Sequence, residues 1–450
     1  MIRNREQLIR NGWTTRDRRA RRLCLDALQR ALNAVNPYHC VLSRVKIREK
    51  KLLLGDLSVS LPDFQRIVLL SVGKASSSMM AAGLRVFRGF PVHGILVAPV
   101  GHKIPKFPDI VEVFHTGHPI PDLAGIKASR RVKELVSGLR EVDLLVCLIS
   151  GGASALLPAP VRGIALSDLR KTTQSLIAST ANIHEINTVR RHISNLKGGR
   201  LVDSCQASRI LSLIVSDVPG NSIPDIGSGL TSEDPTSFAD ATNVLKEHGL
   251  WNSTPSAIRH HLMLGLRGAI PETPKPGDPR FRHVSNFIIA DNGTASTAAA
   301  RALALKQLPT TILTTSAEMD AESMGRFLVS VASENRHRAF IVGGETTVHV
   351  AIRGVGGRNQ HTALSSVEGL SNLDGACLAA LASDGVDGTS SAAGAIVDGR
   401  TASRAEKKRL DPRKFLTEND SYRFFKALRD NITTGPTGTN VGDIYLAMSL

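Results

Sequence analysis

The chain has 450 residues, of which 42% are apolar, 21% are charged and only 4% are aromatic, and its formal net charge is +16. This composition excludes a disordered chain, because it can bury large cores, and the length favours two domains. The positive charge favours an anionic partner, but aromatic residues that could stack on bases are few, so we expect no nucleic-acid partner.

Cysteine usage and hydropathy indicate the compartment. The five cysteines lie far apart and show no CxxC spacing, which is typical of reduced thiols in the cytosol. No apolar stretch approaches the ~20 residues that span a bilayer. The Arg-rich N-terminus has no apolar segment of the kind found in secretory signals. We therefore expect a cytoplasmic protein that does not bind a membrane.

The densest basic cluster is RDRRARR at residues 16–22, on a predicted helix. Clusters of this kind usually form a solvated helix face, and this is the interpretation we adopt.

Short apolar runs then alternate with helix-length amphipathic segments, which is typical of a mostly parallel α/β sheet. The predicted strands of the first half are 66–72, 94–99, 111–116, 143–150 and 210–216, with a helix predicted over 124–139. A second series of predicted strands follows at 286–291, 310–315, 339–344 and 377–383.

A Pro- and Gly-rich stretch at 268–283 separates the two series and is the best linker candidate. We therefore predict an N-terminal α/β domain over residues 1–265 and a C-terminal α/β domain over residues 285–450. This prediction includes the option that the last residues of the chain pack on the N-terminal domain.

Unusual polar residues follow six of the predicted strands. They are Gly73-Lys74, 151–154, 217–220, 291–293, 343–345 and 383–388. In parallel α/β sheets, ligands bind beyond the carboxyl ends of the strands, so six clusters in one register predict a site. The many glycines, most of all in IVGGETTVHVAIRGVGGRNQH at 341–361, predict that a ligand approaches the backbone closely.

The residue types indicate phosphate chemistry. Gly-rich turns that lead into helices present N–H groups to an anion. Lys74 and Arg358 can neutralise phosphate oxygens, the first as a point charge and the second as a fork. Candidates for holding Mg²⁺ are Asp217, Glu345, Asp384 and Asp387. Phosphoryl transfer requires mainly positioning and charge neutralisation, so this inventory suits a kinase or a phosphatase.

The familiar nucleotide motifs are absent. A Walker A motif around Lys74 would need glycine where Val68 stands and Ser or Thr where Ala75 stands. The stretch GVGGRN at 354–359 misses the dinucleotide fingerprint at Asn359 and has no acidic residue about 20 positions further on. The residues alone therefore predict a two-domain α/β protein that handles a phosphorylated anion.

Taken in order, the strand-end motifs resemble those of the class II glycerate kinases, the glycerate 2-kinase family with the MOFRL C-terminal domain. The motifs are SVGKAS (71–76), TGHPIPD (116–122), LISGGASALLPAP (148–160), NTVRRHISNLKGGRL (187–201), SDVPGNSIPDIGSG (216–229), VGGETTV (342–348), GGRNQ (356–360), SDGVDG (383–388), AAGAIVD (392–398) and TGPTGTNVGD (434–443). The resemblance covers roughly residues 20–450. It implies an N-terminal Rossmann-like parallel sheet sandwich, a C-terminal α/β MOFRL domain and an active site in the cleft between them.

The resemblance also implies an activity, the phosphorylation of D-glycerate by ATP with Mg²⁺, typically at the 2-hydroxyl. Lys74 and Arg358 would then be catalytic, and Asp217 would orient the glycerate hydroxyl and accept its proton. The implied substrate- or phosphate-binding residues are Gly151, Gly152, Ser154, Asn187, Arg190, Lys197, Glu345 and Asn359, and the implied metal ligands are Asp384 and Asp387. Lys197 could equally be a cation at a helix C-terminus, and a homodimer is compatible with the family.

The histidines 115, 118 and 192 are interpreted as hydrogen-bonding residues rather than catalysts.

The chain also departs from the family pattern. Asn221 and Ser222, His361 and Ser391 stand where acidic residues are usual, and Leu230 replaces a proline. We interpret the less anionic site as drift in an active kinase, and it leaves a paralogous kinase of another small hydroxyacid, or a non-catalytic paralogue, as an alternative. A hydroxypyruvate reductase is a second alternative, because some relatives carry that label. A nucleic-acid binder, suggested by the net charge alone, is the weakest alternative.

Overall fold

The structure is a computed structural model that describes residues 1–350, 352 and 354–450. The helices are α1 (Arg5–Arg10), α2 (Thr15–Ala34), α3 (Pro37–Arg44), α4 (Ser76–Val86), α5 (Leu123–Ser137), α6 (Ala153–Leu156), α7 (Leu166–Ala178), α8 (Ile183–His192), α9 (Arg200–Asp203), α10 (Phe238–Glu247), α11 (Ser256–Leu266), α12 (Asn292–Ala304), α13 (Ala321–Glu334), α14 (Arg358–Ser365), α15 (Thr401–Lys407), α16 (Pro412–Thr417) and α17 (Ser421–Leu428). The strands are β1 (Lys46–Arg48), β2 (Lys51–Leu54), β3 (Leu57–Ser60), β4 (Arg66–Val72), β5 (Val92–Pro99), β6 (Val111–Thr116), β7 (Asp143–Ser150), β8 (Arg209–Val215), β9 (Val284–Ala290), β10 (Thr310–Ala317), β11 (Arg338–Gly344), β12 (Ala376–Ala382), β13 (Gly394–Asp398), β14 (Asn431–Ile432) and β15 (Asp443–Ser449).

The chain forms two compact units. The central unit comprises Pro37–Ser216 and Asn221–Ile289. The terminal unit comprises Met1–Asn36, Asp217–Gly220 and Ala290–Leu450.

These units differ in two ways from the domains that the sequence suggested, 1–265 and 285–450. Residues 1–36 belong with the C-terminal part of the chain, because α2 packs against α12 and beside β12 and β15. The Pro-rich stretch at 268–283 belongs to the central unit. Within that stretch, Glu272 accepts a hydrogen bond of 2.8 Å from the backbone N–H of Phe238.

The central unit is built on a sheet with strand order β6-β5-β4-β7-β8-β9, in which β6, β5, β4, β7 and β8 are paired in parallel. Strand β7 is buried at every position and β4 at all but its first, which is why both read as continuous apolar runs. The pairing of Val72 with Ile149 brings the carboxyl ends of β4 and β7 side by side. The parallel sheet predicted for this part of the chain is therefore confirmed.

The terminal unit is built on a mixed sheet with strand order β10-β11-β15-β12-β13-β14. Strands β10 and β11 are parallel, whereas β15 runs antiparallel to both β11 and β12. The carboxyl ends of β11 and β12 therefore meet the amino end of β15, where Asp443 is paired with Gly344 on one side and with Ala382 on the other. The predicted strand at 286–291 is β9, and it lies in the sheet of the central unit rather than in this one.

Helix α2 carries the basic cluster at 16–22. Four of its arginines, at 16, 18, 19 and 22, are exposed, as a solvated face requires. Arg21 is fully buried, and its guanidinium binds the carboxylates of Asp398 and Asp430. The interpretation as a solvated face is therefore wrong for Arg21, because two buried carboxylates of the terminal unit provide it with counter-ions.

Within the described residues, no helix combines the length and the apolar character that crossing a membrane requires.

Candidate active site

The turn after β4 is joined to the turn after β7. Gly73 has a positive φ of 122°, and a Cβ atom at this position would lie 2.2 Å from Oγ of Ser150, so only glycine fits. This close approach allows the backbone N–H of Lys74 to donate to the carbonyl of Gly151 at 2.9 Å. The N–H of Ala75 donates to Oγ of Ser150 at 3.0 Å. The predicted residues Lys74 and Gly151 therefore belong to one hydrogen-bonded double turn.

His118 lies over this double turn. A Cβ atom on Gly152 would be 2.9 Å from Nε2 of His118 and 3.6 Å from Cγ of Lys74, so the three residues are neighbours. Burial, together with the charges of Lys74 and His102, lowers the pKa of His118 to about 4. His118 is therefore neutral near pH 7, and the positive charge of the double turn comes from Lys74.

A chain of hydrogen bonds connects α6 to α8. Oγ of Ser154 lies 2.6 Å from Oγ of Ser228, which donates to Oδ1 of Asn187 at 2.8 Å. The amide of Asn187 in turn donates to the carbonyl of Asp225 at 3.0 Å. Ser154 and Asn187 are therefore brought together as predicted candidates. Ser228 was not predicted, although it lies in the motif SDVPGNSIPDIGSG.

Arg190 and Lys197 line one small pocket with Ser154. The Lys197 side chain is buried, and its Nζ donates to the carbonyl of Leu157 at 2.8 Å. Burial, reinforced by the charge of Arg190, lowers the pKa of Lys197 to about 7. Burial alone lowers the pKa of Arg190 to about 10. This part of the central unit is thus a small cationic pocket with a buried lysine.

In the terminal unit, Arg358 is the first residue of α14 and is held by two carboxylates. Its Nε and Nη2 point at the carboxylate of Asp443, the second at 3.4 Å, and its Nη1 binds Glu345. The hydroxyl of Tyr445 also donates to Asp443, at 3.0 Å. Burial raises the pKa of Asp443 to about 6, although the charge of Arg358 opposes this shift.

Asp443 was missed by the sequence reasoning, which considered only the carboxyl ends of strands. It opens β15, a strand that runs in the opposite direction, and its position between Gly344 and Ala382 follows from long-range pairing. The signal that could have found it is its place in the motif TGPTGTNVGD, directly before the apolar run of β15.

Asp387 holds the amino end of α14. One of its carboxylate oxygens accepts hydrogen bonds from the backbone N–H and the side-chain amide of Asn359, at 3.0 and 3.3 Å. The other oxygen accepts from the backbone N–H and the side-chain amide of Gln360, both at 2.8 Å. A carboxylate in this position satisfies N–H groups of the first helical turn. The contacts of Asp387 are those of a helix anchor rather than those of a metal ligand.

The glycines of 341–361 have protein neighbours. A Cβ atom on Gly343 would lie 1.5 Å from Oδ1 of Asn292, and one on Gly357 would lie 2.4 Å from Asp387. Other parts of the chain, and not a ligand as we expected, therefore account for the close approach to Gly343 and Gly357. Their missing side chains make room for Asn292 and for the loop that carries Asp387.

The two remaining candidates have partners of their own. Oδ2 of Asp217 accepts a hydrogen bond of 2.8 Å from the side-chain amide of Asn440. Oδ1 of Asp384 accepts from the N–H of Val386 at 3.1 Å. In the part of the chain that the structure describes, no group of three or more His, Cys, Asp or Glu side chains is arranged to hold a metal ion.

Comparison with known proteins decides the family. A family model described as a domain of unknown function, DUF4147, matches residues 23–263, and the MOFRL family model matches residues 338–443. A glycerate 2-kinase of Pyrococcus horikoshii is 37% identical over 442 residues, which are 95% of this chain and 97% of the relative. The chain belongs to the glycerate 2-kinase family with a MOFRL domain.

Two further proteins that resemble this chain bear on its fold and activity. The solved structure of a glycerate kinase of Thermotoga maritima superimposes with a TM-score of 0.82 at 34% identity, covering 95% of this chain and 99% of that one. A protein of Agrobacterium vitis named as a putative hydroxypyruvate reductase is 38% identical, over 84% of this chain and 86% of its own. The resemblance expected from the ordered motifs is confirmed. Lys74 lies in the DUF4147 match, and Arg358 lies in the MOFRL match.

Proposed function

We propose that the protein is a glycerate 2-kinase, which transfers the γ-phosphoryl group of ATP to the 2-hydroxyl of D-glycerate with Mg²⁺. The observation that carries this proposal is the hydrogen-bonded double turn of Lys74 and Gly151, in a chain that is 37% identical to a glycerate 2-kinase. Phosphoryl transfer depends on positioning and on charge neutralisation, and a lysine with a fixed backbone supports both roles for this turn.

Lys74 supplies positive charge to an oxygen of the transferring phosphate. The lysine is fixed at its backbone by Gly151, so its side chain starts from a defined point above the ends of β4 and β7. His118 lies beside the lysine and is neutral, so it adds no positive charge of its own. Its ring nitrogen can form a hydrogen bond.

Arg358 supplies the second charge. Its two carboxylate partners differ in exposure, since the Asp443 side chain is 1% exposed and the Glu345 side chain is 45% exposed. We infer that Asp443 orients the guanidinium permanently, whereas Glu345 is the partner that a phosphate replaces. An arginine held from one side keeps a donor edge available for the bidentate contact that phosphate favours.

Mg²⁺ is bound in such kinases through substrate phosphates and one or two carboxylates, and it neutralises charge on those phosphates. Such binding needs no cluster of three or more protein ligands, and the described residues contain none. Asp384 and Asp217 are the carboxylates that we propose for this role and for orienting the glycerate hydroxyl. We do not propose Asp387 for it, because both of its oxygens accept hydrogen bonds from the start of α14.

The test is to incubate the protein with Mg-ATP and D-glycerate and to follow the products by ³¹P NMR. A 2-phosphoglycerate signal is expected from the wild type, and the signal should be lost in Lys74→Met. The matched control is Lys171→Met, an exposed lysine on α7. A 3-phosphoglycerate signal would reassign the hydroxyl, and absence of phosphoglycerate from a folded sample would refute the proposal. Consumption of NAD(P)H with hydroxypyruvate tests the activity named for the Agrobacterium vitis relative.

A further inference from the structure

Two cations of the central unit, the buried Lys197 and the half-buried Arg190, lack an acidic partner. Nζ of Lys197, a residue only 4% exposed, has the carbonyl of Leu157 as its hydrogen-bond acceptor. Arg190 makes one long contact, of 3.5 Å, with Oδ1 of Asn187. Among the described residues, no carboxylate raises the pKa of either side chain. Positive charge in an apolar environment without a counter-ion is unfavourable, and proteins seldom retain it without a use.

The neighbouring residue Arg191 shows that the same helix can compensate a buried arginine. Its guanidinium binds Asp225 and Asp234, each at 2.9 Å, and the side chain is fully buried. Arg191 is thus a structural cation with two fixed counter-ions. Arg190, one position earlier on α8, faces the pocket without such partners, which is the state expected of a cation whose counter-ion is a ligand.

The pocket that Arg190 and Lys197 share is small and apolar apart from these two charges and three hydroxyls. Its volume is about 20 Å³, the space of one or two water molecules. Its walls are apolar and include prolines, alanines, Leu169 and Ile193, and its hydroxyls come from Ser154, Thr173 and Ser194. Such a pocket can take the head group of a small anion, and it is too small for a nucleoside triphosphate.

We propose that Arg190 and Lys197 bind the carboxylate of the acceptor, so that the enzyme selects small 2-hydroxy carboxylates over polyols and aldehydes. This inference rests on the proposed kinase function. It assigns to the pocket the part of the acceptor that does not react. Nucleotide phosphate is the other anion that this chemistry could hold, and the experiment separates the two.

The pocket also predicts a pH dependence. Arg190 is the charged group that acts on Lys197 among the described residues, and Leu157, Ser154 and Ser194 present uncharged oxygens and hydroxyls to the pocket. Lys197 must carry a proton to pair with a carboxylate, and burial leaves it half-protonated at about pH 7. Binding of the acid above that pH therefore takes up a proton, and the affinity for D-glycerate falls as the pH rises.

The test is calorimetric titration of the full-length protein with D-glycerate, without nucleotide. The variants are Lys197→Met and Arg190→Met, and Lys171→Met on α7 is the exposed control. Loss of one charge-assisted hydrogen bond is expected to weaken D-glycerate binding about 10- to 150-fold. The Michaelis constant for ATP should stay within about twofold, and the affinity should fall above pH 7 in the wild type but not in Lys197→Met. Methyl D-glycerate and glycerol should not bind.

Other readouts separate binding from a merely structural role. The melting temperature of Lys197→Met should equal or exceed that of the wild type, because an apolar chain replaces a buried amine without a counter-ion. Arg190→Lys should retain part of the affinity. A rise in the Michaelis constant for ATP, with unchanged D-glycerate affinity, would assign the pocket to a phosphate and overturn the proposal.

The inference can also fail separately from the kinase assignment. If the wild type neither binds nor phosphorylates D-glycerate, glycolate, D-lactate and tartronate are titrated in its place. If one of these acids binds the wild type but not Lys197→Met, the carboxylate pocket is supported and D-glycerate is refuted as the substrate. Binding of none of them would overturn the pocket.

Discussion

The guanidinium of Arg358 faces the carboxylate of Asp443 with two of its nitrogens, and the aspartate side chain is only 1% exposed whereas the arginine side chain is 33% exposed. Asp443 opens β15, the strand between β11 and β12, so its position is fixed by backbone pairing on both sides. The orientation of a solvent-accessible arginine is thereby controlled from inside the sheet.

Arg358→Met is expected to reduce kcat/KM by at least about 100-fold, because charge at the transferring phosphate is lost. It also leaves the Asp443 carboxylate buried without its cation. The pKa of Asp443 is already raised to about 6 and rises further once the charge of Arg358 is lost, so the carboxylate takes up a proton and the loss of stability should be about 1–3 kcal/mol. Steady-state kinetics and urea denaturation measure the two effects.

The control is the double variant Arg358→Met with Asp443→Asn, in which no buried charge is stranded. It should regain most of the stability and none of the activity. A near-normal kcat/KM in Arg358→Met would refute the catalytic role of this arginine.

Asp387 and Asp384 should respond to different measurements. Asp387→Ala removes the acceptor of four hydrogen bonds at the start of α14 and is expected to cost about 2–3 kcal/mol of unfolding free energy. Asp384→Asn should leave stability nearly unchanged and raise the Mg²⁺ concentration needed for half-maximal rate. A changed Mg²⁺ requirement in Asp387→Asn, with unaltered stability, would restore Asp387 to the metal site.

Much of the fold was predictable because buried parallel strands have a strong local pattern. The runs at 66–72, 111–116 and 143–150 coincide with β4, β6 and β7. The clusters at the ends of β4 and β7 were identified for the same reason. The rest depends on contacts between distant segments. Asp443 lies beside Arg358 because β15 pairs antiparallel to its neighbours. The local sequence pattern does not show in which direction a strand runs.

The same limit explains the two misjudged stretches. On α2, Arg21 is surrounded in sequence by arginines that are exposed, and only the approach of Asp398 and Asp430 makes it a buried residue. In 341–361, glycines can admit either a ligand or another part of the chain. The sequence cannot distinguish the two, because the neighbour of Gly343 is Asn292, far away along the chain.

Arg21→Met should be among the most destabilising single changes in the terminal unit. It leaves two buried carboxylates without their arginine, and removal of one partner of a buried ion pair costs about 3–5 kcal/mol. The chain has two tryptophans, at 13 and 251, and Trp13 belongs to the terminal unit. Denaturation followed by Trp13 fluorescence in a Trp251→Phe background therefore reports on this unit.

The control on the same helix is Arg22→Met, an exposed arginine whose loss should change the unfolding free energy by less than about 0.5 kcal/mol. Equal effects of the two variants would mean that the contacts of Arg21 contribute nothing beyond those of a surface arginine.

His118 predicts a loss of stability on the acid side. Its pKa is about 4 in the native state, below the ordinary value of 6.5, so between these values the unfolded chain binds more protons. The stability present above about pH 6.5 is therefore lost as the pH falls towards 4. The ring is partly exposed, so we expect a change of about 1–2 kcal/mol.

His118→Gln should remove this part of the acid slope, measured as the difference between the two urea-denaturation profiles at each pH. Lys74→Met should raise the pKa of His118, because the lysine charge is one cause of the shift, and ¹H NMR titration of the ring can follow it. A His118 pKa near 6.5 in the wild type would contradict its placement beside Lys74 and Gly152.

The position of β15 has a consequence for synthesis. This strand lies inside the sheet of the terminal unit, yet it is formed by residues 443–449, whereas α2, which packs beside it, is formed by residues 15–34. A ribosome therefore releases α2 long before any of its partners α12, β12 and β15 exists. Segment 37–289 can meanwhile complete its own sheet. The apolar face of α2 stays uncovered at least until α12 has been made, so a chaperone that binds such faces is expected to act on nascent chains of this protein.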